Sequence, residues 1–148
     1  MGINTLKIKK KILVLFTFIF ISLGFFYKLD YHYFFTEEIL NAHRGRDHIY
    51  GLYEHDAHVP ILPKYFSGAI YILFGINVLL LRAPYAIIGI LTAFVMYLIL
   101  KREYGIFYGL LGAVLFSTSN MTFDASRMMM LEPLMHLFWL TFHYFFFE

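Results

Sequence analysis

Between two strongly apolar regions, residues 28–60 gather six of the chain's ten acids and five of its seven histidines. The stretch runs from Lys28 and Asp30 through Glu37-Glu38, His43-Arg44-Gly45-Arg46-Asp47-His48 and Glu54-His55-Asp56 to His58 and Pro60. Such a division limits what the chain can become. The flanking runs need an apolar environment, and the ionisable groups need water or one another. A protein built this way concentrates its chemistry or recognition in one loop at a membrane face.

Composition points the same way. The chain is 60% hydrophobic and 21% aromatic, with a mean hydropathy of +0.66. Charged residues make up 15%, against roughly 25% in an ordinary soluble domain. A core of 148 residues could not hide that much Phe, Leu and Ile. The chain has no Cys, which excludes disulfides and thiolate metal sites. The net charge of +2 matters less than its distribution.

These features predict an all-α integral membrane protein with about four transmembrane helices and further helices lying at the outer face. Lys7, Lys9, Lys10 and Lys11 precede the first apolar run and place residues 1–11 in the cytoplasm. The first span is then 12–29, slightly short for a bilayer core unless its flanking lysines snorkel. A secretory signal is the competing reading, but Gly24-Phe-Phe-Tyr-Lys28 is too bulky for a cleavage site. Residues 30–62 form an outer loop with an amphipathic helix that breaks at Arg44-Gly45, and 64–75 an interfacial helix. Residues 78–100, 105–117 and 128–147 are the remaining spans, with 118–127 an outer loop. An alternative lets Tyr65–Leu81 cross first, which would put Lys101-Arg102 outside, against the positive-inside tendency.

Candidate chemistry lies at the outer face. Asp30 stands just beyond the first span, pinned by the helix before it; the plain alternative is a solvated helix end. Glu132 falls in the last apolar helix, with Ser126 as a possible N-cap and Pro133 suited to an early turn. Glu132, His136, Trp139 and His143 recur at helical spacing on one face. An acid and two histidines inside a membrane should face protein or a cavity, because lipid exposure costs a few kcal/mol per charge. Helix–helix hydrogen bonding is the plainer account of the histidines. Glu54, His55, Asp56 and His58 offer metal donors, but four ligands this close are a weak signal. Asn120-Met-Thr122 matches a glycosylation sequon.

The order of several short elements carries a resemblance. These are Asp30-Tyr31; Phe35-Thr-Glu-Glu-Ile-Leu-Asn-Ala-His-Arg-Gly45; His58-Val-Pro60-Ile-Leu-Pro63; Leu73-Phe-Gly75; Arg82-Ala-Pro84; and Ser126-Arg127 leading to Glu132. The chain resembles the N-terminal part of the GT-C membrane glycosyltransferases. It is most similar to the dolichyl-phosphate-mannose protein mannosyltransferases (glycosyltransferase family 39) and their aminoarabinose-transferase-like relatives. Two positions depart: Tyr31 replaces the second acid of an Asp-Glu pair, and Glu132 stands where Asp is common. Members of the family have many more spans, so this chain is read as a fragment, a truncated product or one half of a split protein.

The resemblance implies transfer of a sugar, with inversion, from a polyprenyl-phosphate donor to an extracytoplasmic protein or lipid acceptor. It carries Asp30 and Glu132 over as catalytic, and Arg127, Arg82, His58 and Tyr31 as substrate-binding. Asp30 would be the general base. Arg127 or Arg82 would offset charge on the leaving phosphate. No cofactor is fixed, although a divalent cation could serve the same end. The implied setting is a multi-pass protein of a prokaryotic plasma membrane, with its active face outside and no nucleic-acid partner. Two other classes remain: a non-catalytic membrane subunit or pseudo-enzyme that associates with itself or a missing part, and a small metal-handling transporter built on the His/acid stripe.

Overall fold

The computed structural model describes residues 2–31, 36–52 and 61–146. Among them seven helices follow one another: α1 (Gly2–Phe26), α2 (Thr36–Ile49), α3 (Ile61–Phe74), α4 (Val78–Tyr104), α5 (Ile106–Thr118), α6 (Asn120–Arg127) and α7 (Glu132–Phe146). No strand occurs among the described residues. The central element is α4, against which α1, α3, α5, α6 and α7 all pack.

Local sequence explains the helix ends. The hydroxyls of Thr17 and Ser22 in α1 donate to the carbonyls of Leu13 and Phe18, so an apolar helix carries them without orphaned donors. Beyond α1 the chain turns at Lys28, whose φ is 48°. In α2 the acids Glu37 and Glu38 occupy the first turn and Arg46 and His48 the last, the favourable sense for the helix dipole. α3 stops at Gly75, whose φ of 64° suits glycine. Asn77 then caps α4 by accepting the Leu80 N–H at 3.2 Å. α4 and α5 are joined by Gly105 alone, at φ 90°.

α2 runs unbroken through Gly45, where the sequence predicts its end. The reason is tertiary. A side chain at Gly45 would overlap the Lys64 carbonyl and the backbone of Gly68, and one at Gly68 would overlap Gly45. The two glycines let α2 and α3 touch backbone to backbone. Residues 118–127, expected as a loop, mostly form α6. Ser126 lies inside α6, so it is not the N-cap of the last helix, and Glu132 is the first residue of α7 rather than a turn inside it.

Two apolar clusters hold the bundle together. One joins Ile21, Phe25 and Leu29 to Ala86, Tyr97, Leu110 and Ala113. The other joins Ala42, Ile70, Leu81, Tyr85 and Met129. Tyr85 is fully buried, and its hydroxyl lies 2.5 Å from Ser67 Oγ. Ser67 gives its proton to the Pro63 carbonyl, so Tyr85 is the donor in that pair.

Among the described residues one helix, α4, is long and apolar enough to cross a bilayer by itself. α5 and α6 make a second only if their 65° bend falls within one span. The expected four spans therefore do not map one for one onto long helices. The apolar part of α1 is short, with Lys9, Lys10 and Lys11 inside the same helix, and α7 has 15 residues. The surface is nonetheless that of a membrane protein. Phe16, Phe20 and Leu23 on α1, Phe107 on α5 and Trp139 on α7 are all well exposed, and contiguous apolar surface of this kind requires lipid or protein against it.

The glycine contact gives a direct test. Gly45→Ala or Gly68→Ala should lower stability by about 1–3 kcal/mol through overpacking. Gly24→Ala meets only Phe123 at 3.9 Å and should be neutral, or stabilising by up to about 1 kcal/mol. Unfolding in detergent, followed by circular dichroism, reads both.

Candidate functional site

Asp30 lies on the turn after α1, exposed, and Tyr31 beside it is also exposed. Its neighbour Leu29 is 2% exposed and packs in the core. The Leu29 carbonyl accepts Arg82 Nη1 at 2.9 Å. Arg82 in turn grips Glu38 with two parallel bonds, Nε to Oε1 at 2.9 Å and Nη2 to Oε2 at 2.7 Å. Glu38 Oε1 also accepts the Met129 N–H at 2.9 Å, and Asn41 Nδ2 donates to the Met129 carbonyl at 3.2 Å. One buried ion pair thus ties together the α1 turn, α2, α4 and the α6–α7 link.

A second arginine holds the same turn. Arg127, at the end of α6, donates Nη2 to the Tyr27 carbonyl and to the Lys28 carbonyl. Its guanidinium lies 4.8 Å from the centre of the Phe123 ring. Its Nε is buried and has no acceptor among the described residues. Three successive carbonyls, of Tyr27, Lys28 and Leu29, are therefore occupied by guanidinium donors from two helices. Asp30 follows them directly, so its backbone is fixed while its carboxylate stays open. Lys28 Nζ lies 4.9 Å from the centre of the Tyr31 ring on the same exposed surface.

Arg82 requires a correction. As a candidate for a lipid phosphate it should be reachable, but it is 2% exposed and its guanidinium is turned onto Glu38 and Leu29. Sequence reasoning missed Glu38. The available signal was the spacing of Glu38, Ala42 and Gly45, which puts an acid on the small-residue face of α2. An arginine within an apolar helix also calls for an acid partner. Lys64, 2% exposed within the α2–α3 contact, was likewise not singled out.

Glu132 is exposed and borders two cavities. One, of about 300 Å³, is shared with Glu37, Asn41 and Arg44. The other, of about 720 Å³, is an apolar groove walled by Leu62, Met135, Phe138, Trp139 and Phe142. His136 lines that groove, and its ring centre is 6.4 Å from that of Phe116. The stripe of Glu132, His136, Trp139 and His143 was expected to face protein or a cavity; all four are exposed, and Glu132, His136 and Trp139 line the open apolar groove. Asp30 lines neither cavity, and no hydrogen bond or ion pair among the described residues joins it to Glu132. His58, with Glu54, His55 and Asp56, lies outside the described residues. Asp47 pairs with Arg46 at 2.7 Å, a contact that raises the arginine's pKa above its ordinary value.

Residues 58–148 match the family described as Dolichyl-phosphate-mannose-protein mannosyltransferase. No curated protein and no solved structure matches the chain.

The ion pair predicts an asymmetric mutational response. Glu38→Ala or Arg82→Ala alone leaves one buried charge uncompensated and should cost about 3–5 kcal/mol. Glu38→Met with Arg82→Met should recover most of that loss, though the Met129 N–H then lacks its acceptor. Thermal unfolding of the two single variants and the double variant measures the difference.

Proposed function

Because the chain belongs to the dolichyl-phosphate-mannose-protein mannosyltransferase family, we propose that it serves transfer of a sugar from a polyprenyl-phosphate carrier to a hydroxyl acceptor at the extracytoplasmic face. The observation that carries this reading is the double clamp on the turn before Asp30. Two arginines hold three backbone carbonyls there and leave the next carboxylate open. A general base needs a fixed position and an accessible proton-accepting atom.

In this mechanism Asp30 takes the proton of the acceptor hydroxyl as its oxygen attacks the anomeric carbon. The bond from that carbon to the phosphate oxygen breaks, and the electron pair leaves with the lipid phosphate. Attack opposite the leaving group inverts the configuration. Charge then grows on the phosphate, and Arg127, which keeps guanidinium donors beyond those used on the turn, is the cation assigned to it. Arg82 acts at one remove, as a positioning residue. Tyr31 and His58 are assigned to substrate contacts. Glu132 is assigned as the second carboxylate, orienting hydroxyls from the polar cleft it shares with Glu37 and Arg44.

The topology that goes with this reading has four passes, with residues 1–11 and Lys101-Arg102 cytoplasmic and Asp30 outside, in a prokaryotic plasma membrane. A second reading, a non-catalytic subunit that acts through a partner, is favoured by the exposed α7 face. Glu132, His136 and Trp139 are exposed there, and an acid so placed favours association over lipid contact.

The base assignment predicts that Asp30→Asn reduces sugar transfer by about 10² or more, with membrane insertion unchanged. Asp47→Asn should do much less, because Asp47 is engaged by Arg46 further along α2. Transfer of labelled sugar from a polyprenyl-phosphate donor, in membranes holding equal amounts of each variant, is the measurement. Equal losses at both positions would assign Asp30 a structural role.

A further inference from the structure

The end of the bundle away from Asp30 carries a feature that sugar transfer does not use. The start of α1, the end of α4 and the start of α5 meet around a cavity of about 380 Å³. Lys7, Lys10 and Lys11 from α1 line it, and so does Lys101 from the last turn of α4. Its remaining walls are Val14, Tyr97 and Ile106. None of the lining residues is an acid. Lys101 Nζ lies 5.4 Å from the centre of the Tyr97 ring.

This arrangement works against the fold unless something offsets it. Lys7 sits three and four residues before Lys10 and Lys11, so like charges stack on one helix face, which is unfavourable. Folding then adds a fourth cation from a position far away in sequence. The neighbouring turn is different: Arg102 has Glu103 at 3.9 Å, whereas the cavity's four lysines share no acid among the described residues. The end of α4 and the start of α5 both border this space, through Lys101 and Ile106, so their opposite dipoles largely cancel one residue apart and the lysines set the local potential.

We propose that this cavity binds the phosphodiester head of an anionic membrane phospholipid. Four ammonium groups supply the anion contacts. Val14, Tyr97 and Ile106 supply the apolar wall on which the upper acyl chains lie. Along α1 the exposed Leu15 and Ile19 continue that apolar surface into the bilayer. A soluble phosphate would use the lysines alone, whereas an amphiphile uses both parts. The site is independent of the role of Asp30 and lies at the opposite end of α1.

The test uses the full chain purified in detergent and titrated with dioleoyl phosphatidylglycerol or dioleoyl phosphatidylcholine. Native mass spectrometry counts the retained lipid. The anionic lipid should bind at least about tenfold more tightly, and Lys7→Gln with Lys101→Gln should remove that preference, at about fivefold per lysine. Lys9→Gln with Lys28→Gln removes the same charge outside the cavity and should change binding by less than about twofold. An unchanged melting temperature in phosphatidylcholine checks that each variant is folded. Should the Lys7/Lys101 pair not fold, Lys101→Gln alone carries the test, with about a fivefold loss. Equal losses in the two double variants would overturn the site in favour of diffuse charge attraction. So would the absence of a headgroup preference. Displacement of the lipid by millimolar inorganic phosphate would assign the cavity to a soluble anion and overturn the lipid proposal.

Discussion

Burying a carboxylate and a guanidinium together is costly, and the pair of Glu38 and Arg82 is tolerable only because nearly every direction around it is used. Arg82 makes two parallel bonds to Glu38 and a third to the Leu29 carbonyl. Glu38 takes a further bond from the Met129 N–H. Desolvation makes each of these directional contacts strict, since a misplaced partner leaves a charge stranded in a low dielectric. The pair therefore fixes geometry more than it adds stability. Four segments distant in sequence share one register through it, and the turn that ends in Asp30 is among them. Arg127 reinforces the turn from another helix, on carbonyls that Arg82 does not reach.

The remaining architecture follows from having lipid as the outer solvent. Backbone polar groups are satisfied within helices, and the hydroxyls of Thr17, Ser22 and Thr92 turn back onto carbonyls four residues earlier. Large side chains such as Phe16, Phe20 and Trp139 can stay on the outside because water is not there to exclude them. Close helix contacts depend on glycine instead. Gly45 meets Gly68, Gly89 meets Ser126, and Gly109 meets the Tyr97 backbone. Small residues at such crossings are the usual device where lipid gives apolar packing little advantage.

The helical, apolar character of the chain was legible because hydropathy is a local property, and the family was legible because the short elements from Asp30 to Glu132 occur in a recognisable order. What escaped was whatever depends on two distant segments meeting. Gly45 reads locally as a helix breaker, yet α2 continues through it because Gly68 needs the space. Residues 120–127 read as a polar loop, yet they coil into α6, whose buried Thr122 and Ser126 face the bundle. Arg82 reads as an exposed cation for phosphate until its partner 44 residues earlier is known. Asp30 and Glu132 were singled out as acids at the outer face. The structure gives the first a rigid turn and the second a place between a polar cleft and an apolar groove.

The central claim, that one buried ion pair sets the register of the Asp30 turn, is tested most directly by hydrogen exchange on Arg82→Lys. Lysine keeps the charge, but its three donors radiate from one nitrogen and cannot reproduce the planar fork that spans both Glu38 oxygens and the Leu29 carbonyl. The account predicts that amides in 27–31 and 128–131 exchange together at least about tenfold faster than in the unmodified chain, while those of α5 do not change. Unaltered exchange in both segments, or faster exchange in 128–131 alone, would contradict it.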